Sequence, residues 1–221
     1  MKNNLLVKRL VGVAALTALV VGLQLFSNYI QFGNISITLA LIPVAVGAIL
    51  YGPYVGAFLG MVLGAIVLTA PSTAGFLGIN AWATVLICLV KTGLAGLVAG
   101  FVFKAFAFFG KKQPEKKNRV IFFAIGIIAS ALLVPVINTG VFILGAFAFF
   151  REPMGGTFAK ILAAVLTTNF LIEFLVSAIM SPALVSLVKV LTKNYDLGFV
   201  NDFSSFIDND EDEAFSEAVS L

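Results

Sequence analysis

The chain has 221 residues, of which 60% are hydrophobic and 11% are charged, and its formal net charge is +3. Ordinary globular domains are about 45–50% apolar and about 25% charged, so this composition indicates an integral membrane protein and excludes a soluble enzyme, a nucleic-acid binder and a disulfide-stabilised secreted domain. With no histidine and a single cysteine, Cys88, the chain also lacks histidine-based acid–base chemistry, the commonest metal ligand and Ser–His or Cys–His nucleophiles.

Apolar segments predict an all-α membrane protein with six transmembrane helices, since one span needs about 20 apolar residues. The first segment is too long for the apolar part of a cleaved signal peptide and lacks a clear small-residue cleavage site, so we expect it to remain as a span. The predicted spans cover roughly 5–27, 35–51, 53–70, 79–104, 120–149 and 158–191.

Basic residues near the span ends predict that both termini are cytoplasmic, because positively charged loops stay on that side of the membrane. With this orientation only Arg151 and Lys160 lie outside. The inner set is Lys2, Lys8, Arg9, Lys104, Lys111, Lys112, Lys116, Lys117, Arg119, Lys189 and Lys193. The outer connections, 28–34, 71–78 and 151–157, are rich in turn-forming and small polar residues, which predicts surface loops or a lid.

Small residues recur at a spacing of three or four positions in three of the predicted spans. They are Ala14 and Ala18, with Ala15 beside them, in the first span, Gly52, Gly56, Gly60 and Gly64 in the third, and Gly93, Gly96 and Gly100 in the fourth. Such stripes let helix backbones approach closely in a membrane. Packing within the chain is the favoured interpretation for the glycines, whereas the alanine face suits a helix of this chain or of another subunit.

Two ionisable residues, Lys91 and Glu173, lie inside predicted spans, where a charge is costly unless it faces protein or water. At 1.5 Å per residue, both are roughly 18–23 Å below the outer ends of their helices. Asn138 and Asn169 fall at a similar depth. Four polar side chains from three helices are therefore predicted to share one layer.

Helical spacing supports this convergence. The polar positions are Asn80, Thr84, Cys88 and Lys91 in segment four, Asn138 and Thr139 after the helix-bending Pro135 in segment five, and Asn169, Glu173, Ser177 and Ser181 in segment six. One interpretation is a Lys91–Glu173 pair that only satisfies itself. It leaves Asn80, Trp82 and the two asparagines unexplained, whereas an outward-opening cavity between segments four, five and six accounts for the whole set as substrate-binding residues.

The segment after the last span is acidic. It contains Asp196, Asp202, Asp208, Asp210, Glu211, Asp212, Glu213 and Glu217 and no basic residue after Lys193. We therefore divide the chain into a transmembrane domain, 1–193, and a solvated, disordered cytoplasmic tail, 194–221.

The sequence resembles the substrate-binding S components of energy-coupling factor (ECF) vitamin transporters over about residues 5–191. The resemblance rests on the six-span layout, the Ala14-x-x-x-Ala18 element, and the run ITLALIPVAVGAILYGPYVGAFLG from Ile37 to Gly60 with its Gly-Pro turn. The stretch KTGLAGLVAG from Lys91 to Gly100 is similar to the fourth helix of that family.

This resemblance implies a multi-pass protein of the bacterial plasma membrane that binds a vitamin from outside, without a cofactor or metal. It implies docking of the first helix, through Ala14 and Ala18 with Ala15 adjacent, on a membrane scaffold subunit that carries two ATPases. The S component itself is not an enzyme. The absence of a phosphate-binding loop motif from the sequence agrees with this expectation.

One cation among amide and hydroxyl groups suits a small anion that carries amide and hydroxyl groups, since Lys91 can pair with a carboxylate. Pantothenate fits, and the sequence looks more like pantothenate-type members of the family. Folate, riboflavin or a pyridoxine-like vitamin stay open, because they would stack on Trp82 or on phenylalanines.

Two other classes of protein are less favoured. An independent secondary transporter would normally show an internal repeat, and none relates residues 1–110 to 111–191. An intramembrane enzyme would need a nucleophile–base pair or a metal cluster, for which only Lys91 and Glu173 are candidates.

Overall fold

The computed structural model describes residues 2–29, 31–32, 35–36, 38–164, 169–194 and 199–200. Within these ranges the chain is almost entirely helical. The helices are α1 (Lys2–Tyr29), α2 (Leu41–Tyr51), α3 (Pro53–Val67), α4 (Pro71–Ile79), α5 (Ala81–Lys111), α6 (Lys116–Phe149), α7 (Arg151–Met154), α8 (Gly156–Ala164) and α9 (Leu171–Asn194). Two short antiparallel strands, β1 (Gln31–Phe32) and β2 (Ile35–Ser36), follow α1.

Four helices, α1, α5, α6 and α9, are long and apolar enough to cross a membrane. A fifth span is possible if α3 and α4 are counted together, but these two helices are bent by 82° relative to each other. The predicted second span is represented by α2, which has 11 residues and is shorter than a full crossing. The described residues thus give a helical membrane protein with four or five candidate spans, and the six-span count stays a prediction.

The outer connections contain more helix than the sequence predicts. Residues 71–78 form most of α4, which starts with proline at a position where the missing N–H costs nothing. Within 151–157, α7 is followed by Gly155 at a φ of 51°, a conformation that glycine adopts without strain. Both predicted loops are therefore short helices.

The predicted sixth span, 158–191, is described as two helices. α8 ends at Ala164, residues 165–168 lie outside the described part of the chain, and a π-helical turn at Asn169 and Phe170 precedes α9. Of these two helices, only α9 has the length of a span.

Two residues of the predicted tail pack against the bundle. Val200 is fully buried and its N–H donates to the Leu50 carbonyl at 3.3 Å. The Phe199 ring lies 6.3 Å from the Phe103 ring and also faces Gly52, at the turn between α2 and α3. These two residues of the predicted tail are therefore in contact with the bundle, and the division of the chain at 193/194 stays a prediction. The remaining tail residues from 201 onward lie outside the described part of the chain.

The glycine stripe of α3 packs against the backbone of α5. A side chain at Gly56 would collide with the Gly96 carbonyl, one at Gly60 with the Thr92 carbonyl, and one at Gly64 with the Cys88 carbonyl. The two helices therefore run antiparallel in backbone contact over three successive turns. This confirms that the glycines serve packing within the chain.

We expect Gly60→Ala to lower the free energy of unfolding by about 1–3 kcal/mol, because the new methyl group has to displace the backbone of α5. Thermal unfolding of the purified protein in detergent measures the effect. Gly140→Ala, at a helical site with open space around it, is the matched control and should leave stability nearly unchanged. Equal melting of the two variants would contradict the close α3–α5 contact.

Candidate ligand-binding site

A cavity of about 840 Å³ opens between the helices at the end of the bundle where α3 ends and α5 begins. α1, α4, α5, α6, α8 and α9 all contribute to its lining. Apolar side chains such as Ile87, Phe142 and Phe150 form much of the wall, and a smaller polar set faces the same space. An apolar pocket of this size with few polar groups is typical of a small-molecule site.

The short helix α4 forms one wall of the cavity near this end of the bundle. The Phe76 ring packs edge-on against Phe142 at 5.7 Å and against Phe150 at 5.2 Å between ring centroids. These aromatic contacts join α4 to the end of α6. Since Phe76 also lines the cavity, α4 holds apolar surface over the polar groups below it.

α5 presents Thr84, Cys88 and Lys91 to the cavity. Their spacing of four and three residues places them on one helical face, as the sequence predicts. The Lys91 ammonium lies 5.2 Å from the centroid of the Phe142 ring, a cation–π contact that stabilises a charge in an apolar wall.

Glu173 of α9 supplies a buried carboxylate to the same cavity. Its hydrogen-bonding neighbours are Thr38, through both hydroxyl and backbone, and the Asn138 side chain. Lys91 is close enough to interact electrostatically, yet no ion pair within 4.0 Å joins it to Glu173 or to another acidic side chain that the structure describes. Lys91 and Glu173 are therefore not paired directly with each other.

Six of the eight predicted substrate-binding residues line this cavity. They are Thr84, Lys91, Asn138, Thr139, Asn169 and Glu173. The polar layer predicted from three helices is therefore assembled in one place, although its role in binding stays a prediction.

Asn80 and Trp82 are not part of the lining. Asn80 is the N-cap of α5, where its side-chain oxygen accepts a hydrogen bond from the Ala83 N–H at 3.1 Å. Trp82 is 86% exposed on the outer surface of the bundle, a position that suits a membrane–water interface.

Several lining residues were missed from the sequence. Gln24 is a buried amide in the first predicted span, and Thr38 lies between α1 and the short helix α2. Counting every polar residue inside a predicted span, and not mainly the ionisable ones, would have identified Gln24. No pattern in the sequence marks Phe142 as the partner of Lys91.

A second, apolar groove of about 680 Å³ lies on the outside of the bundle between α1 and α3. Its lining includes Leu10, Ala14, Ala18, Gly22 and Phe58. Ala14 and Ala18, two of the three predicted coupling residues, are exposed there. Ala15 is exposed but does not line the groove.

The described residues contain no cluster of acidic or cysteine side chains that would hold a metal ion.

Residues 8–185 match the family described as ECF transporter, substrate-specific component. The chain belongs to this family. It is thus a substrate-specific membrane subunit of a transporter, and such subunits are not themselves enzymes. No curated protein and no solved structure matches the chain.

We expect a double-mutant cycle with Lys91→Met and Glu173→Gln to give a coupling energy below about 1 kcal/mol, because the two side chains form no direct ion pair. Chemical or thermal unfolding of the ligand-free protein measures it. A coupling of about 2 kcal/mol or more, with stability restored in the double variant, would identify the two residues as a structural pair.

Proposed function

We propose that this S component binds pantothenate from outside the cell and delivers it through an ECF-type ABC importer. The observation that carries the proposal is the cavity in which the Lys91 ammonium, free of any ion pair to a described acidic residue, stands among buried amide and hydroxyl groups. A carboxylate on the ligand would pair with Lys91, and the neutral groups would bind its hydroxyl and amide groups. The substrate-specific family supports transport as the purpose of this binding.

The proposed orientation places the mouth of the cavity outside a bacterial plasma membrane and both termini in the cytoplasm. The excess of basic residues at the opposite end of the bundle supports it. Exposed aromatic residues at both ends, Trp82 near the mouth and Tyr54 at the start of α3, suit the two membrane interfaces.

The proposed partner is a membrane scaffold subunit with two ATPases, docked on the groove of α1. An apolar groove floored by alanine and glycine admits a helix at close distance, which is how membrane helices gain packing energy. Ala14 and Ala18 are the contact residues in this proposal. Ala15 is left beside the contact.

A second substrate class has one observation in its favour. Three phenylalanines, Phe76, Phe142 and Phe150, line the cavity and would stack on the ring of folate, riboflavin or a pyridoxine-like vitamin. The ring expected from the sequence to do this, Trp82, is outside the cavity. An independent permease is the less supported alternative, because the family is that of a subunit.

We expect the purified subunit to bind pantothenate in a calorimetric test against a panel of water-soluble vitamins, and Lys91→Met to weaken that binding by about 10- to 150-fold. Charge-assisted hydrogen bonds contribute about 1.5–3 kcal/mol, which gives this range. Lys160→Met is the matched control, since that lysine lines the cavity but is exposed. Equal losses in both variants would indicate general attraction of anions. Binding of another vitamin without pantothenate would refute the substrate.

Replacing both Ala14 and Ala18 with tryptophan should reduce vitamin uptake by cells at least about tenfold while ligand binding by the isolated subunit persists. The bulky rings would fill the groove and hold the scaffold helix away. Ala15→Trp, at an exposed neighbouring position outside the groove, is the control. Full vitamin uptake by the double variant would contradict the proposed docking face.

A further inference from the structure

The end of α2 carries a backbone acceptor that its own helix leaves unpaired. The last four carbonyls of an α-helix have no donor within the helix, and α2 ends at Tyr51. Leu50, one residue before that end, is only 3% exposed. A buried carbonyl needs a hydrogen-bond donor, so the Leu50 carbonyl depends on another segment of the chain.

The C-terminal segment supplies this donor. The Val200 N–H donates to the Leu50 carbonyl at 3.3 Å, and Val200 itself is fully buried. The Phe199 ring covers Gly52, where a Cβ would lie 3.2 Å from the ring, and its centroid is 6.3 Å from that of Phe103 in α5. We call Phe199 and Val200 the C-terminal strap. The strap therefore caps α2 and joins the α2–α3 turn to α5.

The turn that receives the strap also determines how α3 sits against its neighbours. A side chain at Gly12 of α1 would collide with the hydroxyl of Tyr51, the last residue of α2. A side chain at Gly100 of α5 would collide with Pro53, the first residue of α3. The residues on both sides of Gly52 are thus packed tightly on α1 and α5, and a shift of the turn would move α3 relative to both helices.

The groove proposed for subunit docking begins close to this turn. Leu10 precedes Gly12 by two residues, about 3 Å along the axis of α1, and Phe58 follows Pro53 by five residues, about 7.5 Å along the axis of α3. Leu10 and Phe58 line the groove from its two helices. The shape of the groove at this end therefore depends on the spacing of α1 and α3 near the turn.

We propose that Phe199 and Val200 are positioning residues for subunit docking: the strap holds the α2–α3 turn in place and so keeps α1 and α3 at the spacing that the groove needs. This inference rests on the proposed function and adds a determinant of docking outside the groove. The cavity opens at the other end of the bundle, where α3 ends and α5 begins, so ligand binding should not depend on the strap.

The test uses Phe199→Ser, which removes the ring that covers Gly52, in the full-length chain. Uptake of labelled pantothenate by cells should fall at least about fivefold, and less scaffold subunit and ATPase should co-purify with the chain. Calorimetry on the isolated variant should show pantothenate binding within about twofold of the wild type. Phe199→Leu keeps a large apolar side chain and should restore uptake. Uptake is compared at equal amounts of chain that elutes as a single folded species.

Truncation after Val200 is the matched control, because it removes residues 201–221 and keeps the strap. It should leave uptake near the wild-type level. Truncation after Asn194 removes the strap as well and should reproduce the loss seen with Phe199→Ser. Val200→Pro, which deletes the N–H donated to Leu50, is an independent variant with the same expected result. It decides the outcome if Phe199→Ser fails to fold.

Full uptake and co-purification by the folded Phe199→Ser variant would overturn the role of the strap and leave the proposed function intact. Equal losses of pantothenate binding and uptake would also overturn it, because they would show a general disturbance of the fold. If another vitamin binds in place of pantothenate, the proposed substrate is refuted, and uptake of that vitamin by the same variants judges the strap. Absence of a scaffold subunit from the wild-type preparation would overturn both proposals.

Discussion

The close contact between the backbones of α3 and α5 is the constraint on which the site depends. Lipid gives membrane helices no hydrophobic reason to associate, so packing without intervening side chains has to hold them together. Gly60 lies directly against the Thr92 carbonyl, and Lys91 is the neighbour of Thr92. Because successive residues differ by about 100° around a helix, a slip of one residue in this contact would turn Lys91 well away from the cavity.

Lys91 and Glu173 both stay available in the cavity because each has a different environment. Lys91 rests on the face of the Phe142 ring, and Glu173 is bound by Thr38 and Asn138. A direct ion pair would have satisfied both groups and left little for a ligand to gain. The arrangement instead leaves a basic and an acidic side chain in one apolar pocket, which favours a substrate with two chemically distinct ends.

Sequence periodicity predicts the parts of this protein that depend on helical repetition. The four-residue step of the glycines predicts the α3–α5 packing, and the spacing of Thr84 and Lys91 predicts their common face. The same arithmetic separates Trp82 from the site, since nine residues from Lys91 amount to half a turn around the helix. The spacing of eleven residues would place Asn80 on the same helical face as Lys91, but Asn80 precedes the first residue of α5. Residue spacing alone does not show where a helix begins.

Other features depend on contacts between distant segments and leave no local pattern. Proline, serine, threonine and glycine make residues 71–78 resemble a loop, yet Phe76 packs on the end of α6 and the segment is helical as α4. Phe199 and Val200 lie within an acidic segment, so the sequence does not mark them as core residues. Their burial depends on contacts with the α2–α3 turn and with Phe103. Gln24 is a single amide in an apolar segment, and its hydrogen-bonded chain to Asn28 and Thr69 forms only in the folded structure.

α1 carries two different contacts on one rigid body. Gln24 reaches the inner cavity, and Ala14 faces the groove outside, ten residues or about 15 Å away along the helix axis. Because both positions lie on one helix, any tilt of α1 would move the wall of the cavity and the face of the groove together.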